Sequence, residues 1–163
     1  MTRSWISPLA AWAALTLSAS ATAQDGAVDF VRVDKSDRTL TLYAEGQVVR
    51  TYTGIQLCDE PAGAKRFQGD ERTPEGRYTI DYGNPSSAYH LSLHISYPDA
   101  ADRAYARAQG RSPGGDIFIH GQPNGHEERI EGDWTDGCIA LSDAEIEDVW
   151  SLVGDGTAIE IVP

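Results

Sequence analysis

Apolar and polar positions alternate with a period of two through most of this chain, as expected of strands that bury one face. The segments 28–33, 39–43 and 47–52 carry the pattern first. The last two flank a short Glu45-Gly46 turn, which predicts a hairpin. Further strands are predicted over 77–82, behind the turn set by Pro74 and Gly76, over 91–95, over the short apolar run 116–120, and over 157–162. From 56 to 73 the period is lost in a stretch rich in Gly, Pro and charge, which predicts a long irregular segment.

Two segments follow a helical period instead. Residues 99–109, after Pro98, hold Ala and Arg at helical density and stop at Gly110. Ser142-Asp143-Ala144-Glu145 is a capping box, after which Ile146, Val149, Trp150 and Val153 share one face and Gly154 is expected to end the helix. The sum is a mainly β single domain with a few helices, arranged as a mixed β-sandwich or a curled sheet.

The first residues do not belong to that domain. Arg3, an apolar stretch over 6–17 that is short for a membrane span, and Ala21-Thr22-Ala23 together predict a secretory signal peptide over 1–23. An uncleaved anchor is the alternative, disfavoured by Pro8 and by the lack of a basic flank. Residues 24–163 then form the folded domain, expected to be periplasmic or secreted, with no membrane span after cleavage. Loss of Arg3 leaves twelve basic against 25 acidic residues, a net charge of about −13, which argues against nucleic acid and anionic lipid as partners.

In an oxidising compartment two cysteines suggest a disulfide first, yet Cys58 and Cys138 have different surroundings. Cys138 follows Asp136-Gly137 and precedes the apolar Ile139-Ala140-Leu141, a tight junction at which backbone amides can face the sulfur. Upstream, His120 ends the run Asp116-Ile117-Phe118-Ile119-His120 and is followed by Gly121. A thiol needs a base to act as a nucleophile near neutral pH, and His120 is the candidate, expected to favour the thiolate. The other histidines carry no comparable signal. His90 and His94 are four apart on one strand face and His126 sits in a charged loop. No Cys-x-x-Cys or His-Glu-x-x-His spacing joins them, so neither metal nor cofactor is expected.

The stretch Asp133-Trp134-Thr135-Asp136-Gly137-Cys138, with His120-Gly121 upstream and Thr73-Pro74-Glu75-Gly76 before it, resembles the L,D-transpeptidases, the YkuD-type catalytic domain. The chain departs from that pattern at Asp136, where the family usually has a second His, and at Ala140, where it usually has Arg or Asn. The Asp-Trp-Thr-x-Gly-Cys-Ile-Ala form is most similar to a divergent branch that includes enzymes cutting links between cell-wall peptides and an outer-membrane lipoprotein.

The resemblance implies the fold named above, peptidoglycan stem peptides as substrate, and a Cys138 thioester formed with His120 as base. Gly137 and Cys138 amides would receive the oxyanion, and Gly121, Trp134, Thr135 and Asp136 would border the substrate. Asp136 is expected to hydrogen-bond into the turn; facing the sulfur, it would raise the thiol pKa. Trp134 reads equally as a clamp over the peptide or as core filler. Three functions remain: crosslink formation or exchange, hydrolysis of peptidoglycan-peptide or peptidoglycan-lipoprotein links with that lipoprotein as a partner, and binding of cell-wall peptide without turnover.

Overall fold

A computed structural model describes residues 27–126 and 128–163. The predicted signal segment, 1–23, lies outside the described residues. The alternating segments become strands β1 (Val28–Asp34), β2 (Thr39–Ala44), β3 (Gln47–Thr53), β4 (Gly76–Ser87), β5 (His90–Ile95), β6 (Ile117–His120), β7 (Ile139–Ala140) and β8 (Val153–Val162). Helix α1 (Ala100–Ala108) lies between β5 and β6, and α2 (Asp143–Leu152) between β7 and β8.

All eight strands pair in one sheet, in the order β3-β2-β1-β8-β4-β5-β6-β7, with β1–β8 and β6–β7 parallel and the rest antiparallel. Of the two expected arrangements the structure takes the curled sheet. β3 and β7 are its two edges, yet Gln56, just beyond β3, exchanges both backbone hydrogen bonds with Ala140 of β7, at 2.9 and 2.8 Å. The sheet therefore curls far enough for its edges to meet. The inward alternate positions, among them Val31, Leu42, Ile80, Ile119, Ile139 and Ile159, make one continuous apolar core.

Helix α2 lies on the sheet face that carries Gly83 and Leu93, which are register partners in β4 and β5. Its capping box forms as the sequence predicts, with the Ser142 and Glu145 side chains each taking the other's backbone N–H. Its end differs from expectation. Val153 is already extended at φ −105° and ψ 116° and becomes the first residue of β8, so the chain passes from helix to strand with no glycine cap at Gly154. Strand β4 is also longer than the predicted 77–82. It continues through Gly83, Asn84 and Pro85, because β5 pairs with it as far as Ser87. Among the described residues no helix is long and apolar enough to cross a membrane.

Gly83 is needed under α2, since a Cβ there would come within 2.5 Å of the Trp150 ring. Gly83→Ala is accordingly expected to destabilise the domain by about 1–3 kcal/mol, the usual cost of overpacking. Adding Trp150→Leu to that variant should restore part of the loss. Urea unfolding of the single and double variants checks this; additive losses would show that the two positions do not share the space.

Candidate active site

The strand pairing accounts for the meeting of Cys138 and His120. β6 and β7 run parallel with Ile119 opposite Ile139 and His120 opposite Ala140, so Cys138, just before β7, is a diagonal neighbour of His120. Cys138 and Ala140 are two positions apart, with only Ile139 between them, which places Cys138 and His120 on the same face of the sheet. They line one cleft of about 270 Å³ together with Asn84, Ser87, Tyr89, Ser92, Asp116 and Phe118.

The approach to Cys138 is held from three sides. Thr135 Oγ1 donates to the Cys138 carbonyl at 2.7 Å, and the Trp134 and Thr135 amides both donate to the Leu57 carbonyl at 2.9 Å. Asp133 takes a two-point hydrogen bond from Arg38, at 3.1 and 2.6 Å, and one from the Leu57 amide. Gly137 adopts φ +115°, and a Cβ on it would sit 2.5 Å from the Arg72 carbonyl oxygen, so backbone conformation and space both require glycine. This contact places Arg72, the residue before Thr73-Pro74-Glu75-Gly76, against the cysteine turn.

At rest the two reactive groups are neutral. His120 is buried, which lowers its pKa, an effect partly opposed by its hydrogen bond to the Gly121 carbonyl at 2.7 Å. That bond assigns the proton to Nδ1 and leaves Nε2 as the basic nitrogen. Rings of Tyr89 and Trp134 pack on the imidazole, at centroid distances of 4.6 and 5.6 Å. The Cys138 thiol is pushed up to about 11, chiefly by burial, with Asp136 and Asp116 adding to the rise; the Phe118 amide, donating to the sulfur at 3.4 Å, opposes it. The thiol in turn donates to the Asp116 carbonyl at 3.6 Å, and no hydrogen bond joins it to His120 among the described residues. The expected resting thiolate is therefore corrected, because burial outweighs the nearby donor.

Other expectations divide. Asp136 makes no hydrogen bond into the turn among the described residues; it is exposed, and its charge bears on the sulfur, while Thr135 closes the turn instead. Thr135 is buried, and Gly121 abuts α2, where a Cβ would lie 2.6 Å from Asp143 Oδ1. Trp134 is half-buried against His120, with its Nε1 buried and unpartnered. His90 and His94 do not share a face. At φ +64° His90 turns to α2 and meets Glu147 at 2.8 Å, whereas His94 pairs with Asp81 at 2.6 Å. Among the described residues no three metal-ligating side chains gather. Both cysteines are free, and Cys58 is fully buried with its thiol pKa raised by that burial.

Sequence reasoning missed the support behind the site. Gln56 Nε2 donates to the carbonyls of Ile130, at 2.5 Å, and Gly132, and its Oε1 accepts from Gln122 at 3.1 Å and Arg129 at 3.2 Å. Gln122 Nε2 donates to the Leu141 carbonyl at 2.6 Å, and its Oε1 accepts from the Ile130 amide at 2.9 Å. Tyr89 comes from the β4–β5 turn. None of these has a local sequence signal, because each acts across a long separation.

Comparison with known proteins agrees with this geometry. Residues 29–161 match the family model of the L,D-transpeptidase catalytic domain, YkuD. YafK of Escherichia coli, itself only provisionally named an L,D-transpeptidase, is 27% identical over 133 residues, 78% of this chain and 48% of YafK. The crystal structure of the helical cell shape determining protein Pgp2 from Campylobacter jejuni superposes with a TM-score of 0.66 at 29% identity, covering 84% of this chain and 48% of Pgp2. An L,D-transpeptidase from Mycobacterium smegmatis shares the fold, with a TM-score of 0.55 at 16% identity over 85% of this chain and 60% of that one. The chain thus spans about half the length of the curated relatives it matches.

The raised thiol pKa has a measurable signature. Only the thiolate is alkylated, so at pH 7 on the order of one molecule in 10⁴ is reactive, and iodoacetamide labelling of Cys138 should rise with pH toward about 11. Asp136→Asn removes a charge that disfavours the thiolate and should move the profile to lower pH. An unmoved profile would mean that the carboxylate does not act on the sulfur.

Proposed function

Because the chain belongs to the L,D-transpeptidase catalytic domain family, we propose that it is a cysteine acyltransferase acting on peptidoglycan stem peptides in the periplasm. The observation that carries this reading is the diagonal pairing of Cys138 and His120 across β6 and β7, with His120 Nδ1 bound to the Gly121 carbonyl and Nε2 left basic.

In the first step Cys138 Sγ attacks the carbonyl carbon of a stem-peptide bond and its proton passes to His120 Nε2. The amides of Gly137 and Cys138 are the oxyanion donors nearest the sulfur, and the glycine lets the substrate carbonyl approach. The C–N bond breaks, His120 returns the proton to the departing amine, and a thioester remains on Cys138. An amine of a second stem peptide then attacks the thioester carbon and loses a proton to His120 Nε2; the C–S bond breaks, His120 passes that proton to Cys138 Sγ, and the new amide is the crosslink. Substrate entering the 270 Å³ cleft replaces water around a pair that is uncharged at rest, so proton transfer is coupled to attack. Water in place of the amine would make the same site a hydrolase.

The test is incubation with purified cell-wall fragments followed by mass analysis. New crosslinks support transfer; lost links with added water would assign hydrolysis. Cys138→Ala should abolish either product while the fold is retained, and Cys58→Ser should keep it. His120→Ala should slow turnover by about 10²–10⁴, the range for a positioned base. Activity near the wild type in His120→Ala would remove this residue from the mechanism.

A further inference from the structure

The chain is strongly acidic, with 25 carboxylate residues against 13 basic ones, so a guanidinium should readily find a partner. Arg32, Lys35, Arg38, Arg50, Lys65, Arg77 and Arg129 do. Arg103, Arg107 and Arg111 make no ion pair among the described residues, and all three line one cavity of about 470 Å³ beside Gly110, Ser112 and Gly114. Arg103 and Arg107 are four apart on α1, a spacing at which like charges repel. The α1 dipole favours a cation only at its C-terminal turn, where Arg107 lies, and Arg103 stands in the other half of the helix.

Two of these side chains are also held in place, those of Arg103 and Arg111. Arg103 donates to the Pro98 carbonyl. The Arg111 guanidinium lies 3.8 Å from the Phe67 ring centre, Phe67 packs on Tyr105 at 5.9 Å, and Arg66 covers Tyr105 at 5.0 Å. Guanidiniums that line one cavity, one of them on an aromatic ring and none in an ion pair among the described residues, form a receptor for an anion with planar, two-point acceptors.

Shared lining residues link this cavity to the active site. Gly114 also lines a second cavity, of about 280 Å³, with Gln68, Glu71, Asp116 and Asp136, and Asp116 in turn borders the Cys138 cleft. The Gln68 amide donates to the Ser112 carbonyl at 2.9 Å and joins the floors of the first two. A bound chain leaving Cys138 along this path meets negative charge first and positive charge at the far end. Stem peptides carry both amines and carboxylates.

We propose that the arginine cavity is a subsite for the carboxylates of the stem peptide whose reacting group lies at Cys138; this rests on the acyltransferase reading above. The acidic stretch at Asp116 and Asp136 turns a peptide amine toward the sulfur, and Arg103, Arg107 and Arg111 anchor its carboxylates.

Equilibrium binding to the full chain carrying Cys138→Ala tests the subsite apart from turnover, with a synthetic stem tetrapeptide and its carboxyl-amidated counterpart as probes. The free acid should bind at least about ten-fold more tightly than the amide, and Arg103→Gln with Arg107→Gln should remove that difference. Both are exposed positions, so folding is preserved. In protein with Cys138 intact the same pair of substitutions should raise KM and leave kcat. Equal binding of acid and amide, affinity unchanged in the arginine variants, or displacement by inorganic phosphate with no dependence on the peptide carboxylates would overturn the subsite. Thioester formation without arginine dependence would sink the subsite alone; arginine-dependent binding with no thioester on Cys138 would sink the acyltransferase reading alone.

Discussion

The two-way backbone pairing of Gln56 with Ala140 is the constraint on which the rest of the molecule depends. It brings the β3 end of the sheet onto the β7 edge and so turns eight strands in a row into a curled wall around one core. β7 has only two residues, too few to hold a position by its own pairing. With β6 on one side and Gln56 on the other, both of its edges are satisfied, and the cysteine that precedes it acquires a fixed place. The Gln56 side chain then binds the loop carbonyls at 130 and 132, so one residue fixes both the strand after the nucleophile and the loop before it. A buried amide with every polar atom engaged rigidifies its surroundings in this way.

A site held so firmly does not need a charged resting state. Burial raises the thiol and lowers the imidazole, and the two effects act in the same direction, toward an uncharged pair. The Tyr89 and Trp134 rings, tilted and edge-on against His120, hold its ring plane. Bond formation to carbon and proton movement then belong to one event, with the supporting dipoles already in place.

The fold was legible in the chain because period-two patterning reports on which face a strand buries: it located β1, β2, β3, β5 and β6 closely, while the helical period and caps located both helices. The extension of β4 over Gly83 to Ser87 was not, since Gly and Pro argue against strand by propensity and only pairing with β5 overrides them. Of the site, Cys138 and His120 stood out as residue types in a telling context. The roles of their neighbours did not. Thr135 and Gly121 are adjacent in sequence to reactive residues but face inward, and Asp136 could be assigned only once Gly137 at φ +115° had turned the chain. Gln56, Gln122 and Tyr89 lie 16 to 82 positions from Cys138 and carry no motif; a three-dimensional arrangement alone gives them meaning.

The neutral thiol has one more consequence. Peroxides and disulfides react with thiolates, so a sulfur kept protonated is slow to reach sulfenic acid or a mixed disulfide, and such oxidation would end its use as a nucleophile. Cys58, the other thiol, is free and fully buried. Durability at Cys138 therefore rests on the same burial that slows its ionisation: the domain holds its less buried thiol in a form on which oxidants act slowly.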